Sequence, residues 1–177
     1  MASRRLVSLC LLFAMAGNGS AYIVDQVEIE YWAGSGSNAA IVVIDFGVDS
    51  YAFGYRWEEG TRYGKDLMDA VTGTGALDYS ESGGFLSTIS YEGYLNVGEN
   101  GWPTDWWGYF ISEDGSNWAV AGGGFAEREL SNGTWDGWAH QVTDSWPPAH
   151  FPTTPIPEPG TILLLALGGL FASKGKV

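Results

Sequence analysis

Ala39-Ala40-Ile41-Val42-Val43-Ile44-Asp45-Phe46 is an apolar run with four consecutive β-branched residues, and it predicts a central strand. Upstream, Val27-Glu28-Ile29-Glu30-Tyr31-Trp32 begins by alternating apolar with charged positions, the signature of a half-buried strand. Gly34-Ser35-Gly36-Ser37-Asn38 lies between the two as a turn, so a hairpin is expected. The spacing Gly34-x-Gly36-x-x-Ala39 imitates a dinucleotide fingerprint, but that motif needs a helix after the glycines, and here a strand follows. Downstream, Gly47 to Ser50 turns the chain into Tyr51-Ala52-Phe53-Gly54-Tyr55-Arg56-Trp57. Its four aromatics share one face of a strand, and Arg56 points to the other. One helix follows, from Gly64 to about Thr72, with Leu67, Met68, Ala70 and Val71 on one side and Thr61 available as a cap. So short a helix must lie on the sheet to be stable.

The rest of the chain reads as short strands between turns. Gly73 to Gly84 is a loop, and Phe85 to Tyr91 and Trp106 to Ile111 are strands. Trp118 to Ala121 returns from a Glu113-to-Asn117 hairpin, Gly122-Gly123-Gly124 breaks it, Glu127 to Leu130 is a short edge, and Trp135 to Val142 is the last strand. The sum is an α+β fold, an antiparallel-rich sheet with one short helix packed on it. Three segments carry a resemblance over the back half: Leu67-Met68-Asp69-Ala70-Val71, Ser87-Thr88-Ile89 with Gly93, and Trp107-Gly108-Tyr109-Phe110-Ile111. With Leu130-Ser131-Asn132-Gly133 running into Trp138, they resemble the β-grasp module at the C-terminus of transcobalamins and related bacterial surface domains. That resemblance implies a binding module for a corrin-like or other planar ligand.

The two ends read as addresses. Arg4-Arg5, the apolar Leu6 to Ala16 and the small residues Gly19-Ser20-Ala21 form a secretory signal peptide over residues 1–21. Cys10, the chain's one cysteine, would leave with it, so no disulfide or thiol chemistry is expected in the mature protein. At the other end, Pro157-Glu158-Pro159 precedes an uncharged apolar run from Thr161 to Ala172, and Lys174 and Lys176 close the chain. As a helix the run is roughly 18 Å long, a short membrane anchor whose lysines would snorkel to the headgroups. This arrangement resembles the PEP-CTERM sorting signal of bacterial surface proteins, with two lysines where a denser basic cluster is usual. The resemblance implies recognition by a membrane-embedded exosortase and delivery to the outer surface or extracellular matrix of a Gram-negative-type bacterium. The expected organisation is signal peptide 1–21, secreted domain 22–145, a stiff Pro-rich spacer 146–156 and sorting signal 157–177.

Between the addresses, four basic residues (Arg56, Arg62, Lys65, Arg128) face twenty acidic ones, a net charge of −16. Such a domain repels phosphate backbones, so nucleic-acid binding is not expected. All nine tryptophans lie in this segment, which argues for a packed domain. Catalytic motifs are missing: the two histidines, His140 and His150, belong to no zinc or hydrolase signature, and a non-enzymatic protein is expected. Calcium is the one cofactor the turns suggest, through Asp45, Asp49, Glu113, Asp114 and Asn117, although EF-hand spacing is absent and such residues usually serve the turn itself. The aromatics give the best binding signal. Trp102, Trp106 and Trp107 surround an exposed turn and Trp135 with Trp138 flanks another, so Trp102, Trp106 and Trp135 are the candidate ligand-binding residues.

Three roles follow. The first is a structural or adhesive protein of the envelope or matrix, with exopolysaccharide as an expected partner. The second is a binding module for a glycan or cobalamin-like ligand, which would show an open pocket rimmed by Trp102, Trp106 or Trp135. The third is a secreted hydrolase, which would bring two carboxylates, or His140 and a carboxylate, together in a cleft.

Overall fold

The computed structural model describes residues 26–156. Pro157, Glu158, Pro159, Lys174 and Lys176, and the expected signal peptide, lie outside them. The described chain folds into nine strands and one helix: β1 (Ile29–Gly34), β2 (Asn38–Asp45), β3 (Ser50–Trp57), α1 (Gly64–Thr72), β4 (Asp78–Ser82), β5 (Phe85–Tyr91), β6 (Tyr94–Val97), β7 (Trp106–Ser112), β8 (Ala119–Val120) and β9 (Trp135–Gln141). A six-stranded sheet runs β1-β3-β2-β9-β7-β8, and a three-stranded sheet runs β4-β5-β6. The large sheet is mixed, with β1/β3 and β2/β9 parallel and its other ladders antiparallel. Among the described residues, no helix is long and apolar enough to cross a membrane.

The first two strands do not form a hairpin. β3 lies between them, paired to β2 from Asn38↔Trp57 to Asp45↔Ser50. The cause is the glycine turn, which passes hard over the end of β3. A Cβ on Gly34 would stand 2.4 Å from the Arg56 carbonyl, and one on Gly36 would stand 2.1 Å from the Trp57 backbone. At helix α1 the capping residue also differs from the expected Thr61: Tyr63 precedes the helix, and its N–H donates to the Asp66 carboxylate at 2.8 Å. The expected loop from Gly73 to Gly84 contains β4, whose largely exposed side chains show no apolar alternation because pairing to β5 holds it. Glu127 to Leu130 is not a strand but a strap over the start of α1, bonded through Gly64 N–H to Arg128 O and Leu130 N–H to Arg62 O.

The faces of the large sheet are covered by different things. On the front, Leu67, Met68 and Val71 of α1 meet Val42, Ile44, Phe53 and Tyr55, while Leu86, Ile89 and Tyr91 bring the small sheet beside the helix. The odd-numbered aromatics of β3 all face this layer, and Phe53 and Tyr51 each make edge contacts with Tyr91. On the back lie Ile41, Val43, Ala52 and Trp135, with Trp32 and Trp118 against them.

The Pro-rich stretch does not project as a spacer. It lies along the back of the sheet, where glycines and polar side chains on β7 and β9 receive it. A Cβ on Gly137 would stand 2.7 Å from Pro152 Cγ, and one on Gly108 would stand 3.1 Å from Pro148 Cβ. The Gln141 amide, fully buried, donates to His150 O at 2.6 Å and accepts from His150 N–H at 3.1 Å. Asp45 accepts from Thr153 N–H at 2.8 Å, Phe151 packs on Phe110, and Glu28 N–H donates to Pro155 O. A free spacer could be removed without loss; this strap cannot. Truncation after residue 145 is expected to lower Tm markedly, and Gln141→Ala, which strands two backbone groups, to cost about 2 kcal/mol in urea unfolding.

Candidate functional site

The front layer leaves β7 and β9 partly uncovered, and a groove of about 520 Å³ opens there. Its floor is built by side chains that also close the core: Tyr109 stacks on Trp138 at 4.4 Å, and Phe125 meets both edge-on. A tryptophan wall rises at the start of β7. Trp102 contacts Trp106 at 4.9 Å between ring centroids, and Trp106 contacts Trp146 at 6.2 Å. Trp106 is fixed by its indole N–H, which donates to Thr143 O at 2.8 Å. Elsewhere the lining is Phe85, Leu86, Val120 and Ala121 with the side-chain-free backbone of Gly84 and Gly122 to Gly124. No side chain with a formal charge lines it. A smaller cavity of about 200 Å³ shares Tyr109, Ala121 and the three glycines, and is bordered by Glu127 and Arg128.

Two of the three expected binding residues meet here. Trp102 is 51 % exposed at the rim, and Trp106 stands beside it, half-buried. Trp135 does not belong to the site: it is 2 % exposed on the back of the sheet, under Gly115 and among Ile41, Val43 and Ala52. A place beside a turn suggests exposure, but strand alternation puts Trp135 on the face that the Pro-rich strap closes. Trp146, 71 % exposed, was legible only as part of a spacer. The triple glycine was legible only as a break. An aromatic beside the prolines and side-chain-free residues next to an aromatic strand were the available signals.

The other candidates form separate structures. His140 Nε2 lies 2.8 Å from Asp105 Oδ1, so the histidine–carboxylate pair named for a hydrolase does meet, in a shallow depression that both residues line with Glu99, Asn100 and Thr104. Asp105 also accepts from Gly98 N–H, Asn100 N–H and the Asn100 amide, so it ties the turn before β7 together. Burial opposes its charge, yet the bonds from His140, Asn100 and Gly98 hold its carboxyl below the usual range. The turn acids expected as calcium ligands are similarly committed. Asp114 accepts from Asn117 and Ser116 N–H and from the Asn117 amide, Asp45 from Gly47 and Thr153, and Asp49 from Tyr94. Among the described residues, no three His, Cys, Asp or Glu side chains converge on one point.

A buried polar cluster lies behind the groove floor. Asp136, 2 % exposed, accepts from Tyr109 Oη–H at 2.7 Å, and Arg128 Nε stands 3.6 Å from its other oxygen. A Cβ on Gly64, the first residue of α1, would stand 2.7 Å from the Asp136 carboxylate, so glycine is required where the helix meets this acid. No family model, curated protein or solved structure matches this chain.

Burial is the main influence on Asp136 and pushes its pKa up to about 6, against the opposing pull of Tyr109 and Arg128. The folded state therefore holds a proton that the unfolded chain has released, and the contribution of Asp136 to stability falls as pH rises from about 4 to 6. Urea unfolding at pH 4 and 6.5 should show the stability difference between wild type and Asp136→Asn moving in favour of the variant at the higher pH. An unchanged difference would mean that Asp136 carries no raised pKa.

Proposed function

We propose that this chain is an exported, non-enzymatic surface protein whose domain binds a ligand by its flat face. The open tryptophan-walled groove carries this reading. Its size falls within the range of small-molecule sites, and its lining is dominated by aromatic rings. The strand order supports assignment of the finer fold as β-grasp-like: a hairpin, β2/β3, is followed by a crossing helix, and the last strand enters parallel to the first strand of that hairpin. Both ligand classes suggested by the sequence, a glycan and a cobalamin-like molecule, offer flat faces to such a wall.

The delivery half of the proposal rests on residues 1–21 and 157–177. The Pro157-Glu158-Pro159 triplet, the apolar run and the terminal lysines would bring an exosortase-type enzyme to the tail and hold the protein in the membrane at least until processing. The domain would then work at the outer surface or in an exopolysaccharide matrix.

Tryptophan fluorescence of the full chain, titrated with neutral and acidic exopolysaccharides and with cobalamin, tests the binding half. A saturable change that is lost in Trp102→Ala and Trp106→Ala, but kept in the buried-face variant Trp135→Phe, is the expected result. A folded protein that responds to none of them would be a passive matrix component for these ligands.

A further inference from the structure

Resting on the groove as a binding site, we infer that it selects an uncharged, flat ring ligand carrying a carbonyl-type acceptor, with Gly122 to Gly124 as a specificity-determining wall and Trp138 as a donor beneath. The glycines are the first observation. None of the three has a φ in the left-handed region, in contrast to Gly83, Gly84 and Gly115. A Cβ on Gly122 would meet nothing within 4 Å, one on Gly123 only Glu127 Oε2 at 3.8 Å, and one on Gly124 only Gly84 O at 3.9 Å. Neither backbone conformation nor packing calls for glycine at these positions. What three side chains would do is fill the groove and the smaller cavity, since all three residues line both. Without them, a flat molecule can lie against bare backbone.

Trp138 is the second observation. It lines the groove floor and is 4 % exposed, and its indole N–H has no acceptor among the described residues. Buried donors are seldom left unpaired; this nitrogen is covered in the present arrangement, so a ligand oxygen would supply the missing partner after a small shift of the floor rings that uncovers it. Charge gives the third. The groove is lined by no formally charged side chain, and the smaller cavity is bordered by one cation and one anion, Arg128 and Glu127. In a domain of net charge −16, an anionic ligand gains no compensating contact there, and a cationic one finds no unopposed carboxylate in the lining. An uncharged ring with an acceptor atom matches what the walls offer.

Coumarin, naphthalene and coumarin-3-carboxylate separate these properties, because they are similar in size and differ in acceptor and charge. Calorimetric titration of the full chain should show coumarin binding about tenfold tighter than naphthalene or the carboxylate. Trp138→Phe should remove the advantage of coumarin over naphthalene. Gly122→Leu and Gly123→Leu should weaken coumarin by about tenfold or more with little change in Tm. Glycine variants that bind as wild type, or equal affinity for all three probes, would overturn the inference. Trp106→Ala distinguishes that failure from a failure of the groove itself: if it weakens coumarin while the glycine variants do not, the site stands and its selectivity is wrong. If coumarin binds wild type and Trp106→Ala equally well, the groove is not the binding site.

Discussion

The parallel ladder between β2 and β9 is the constraint on which the rest of the molecule depends. It joins Ile41↔Trp135 through Asp45↔Ala139, residues far apart in the chain, and it connects the β1-β3-β2 half of the large sheet to the β7-β8 half. Each residue of β9 then has an assignment fixed by strand alternation. Trp135, Gly137 and Gln141 face the back, where they fill the core, admit Pro152 and bind the strap. Asp136, Trp138 and His140 face the front, where they meet the helix start, floor the groove and tie down the turn before β7. A one-residue slip would exchange these sets. The groove therefore exists only in this register, because the ring that floors it is set by the same pairing that closes the back.

Local patterns revealed the elements well and their pairings poorly. The helix begins and ends at Gly64 and Thr72, as its apolar spacing indicates, and the odd aromatics of Tyr51 to Trp57 share the front face. Period and propensity are short-range properties, and these elements are short-range in origin. The place of β3 between β1 and β2 depends on a glycine turn crossing a strand end, an effect that composition does not express. The strap is a stronger case. Prolines in sequence suggest an extended segment, and the segment is extended, but only tertiary complementarity with Gly108, Gly137 and Gln141 says that it packs. For the candidate site, the exposed turn around Trp102 and Trp106 was readable, while Trp135 and Trp146 exchanged roles because the back face had an unforeseen cover.

Aromatic packing links stability to the site. The front core uses Phe46, Phe53, Tyr55, Trp57, Tyr91, Trp107, Phe125 and Trp138 where a larger domain would use more aliphatic residues. Large rings leave irregular spaces where they meet, and rings at the limit of the core contribute one face inward and another outward. Tyr109, Trp138 and Phe125 do this at the groove floor. A binding surface of this kind requires little beyond the termination of the covering layer, here formed by α1 and the small sheet. The glycine run keeps that termination open.

The charge distribution explains why such a surface would work by shape and apolar contact. The four cations of the domain are each engaged locally. Arg56 lies 4.2 Å over the Trp32 ring, Arg62 donates to Tyr55 Oη, Lys65 meets Asp69, Glu81 and Tyr79, and Arg128 sits between Asp136 and Glu113. No basic patch remains among the described residues to steer an anion, and the surplus carboxylates keep the surface hydrated and the molecules apart. Attraction of a ligand to the groove would then have to come from the burial of apolar area against the tryptophan wall, a short-range force that salt screens little. Recognition of that kind discriminates by fit, and for that reason the side chains missing from one wall matter as much as the rings present on the other.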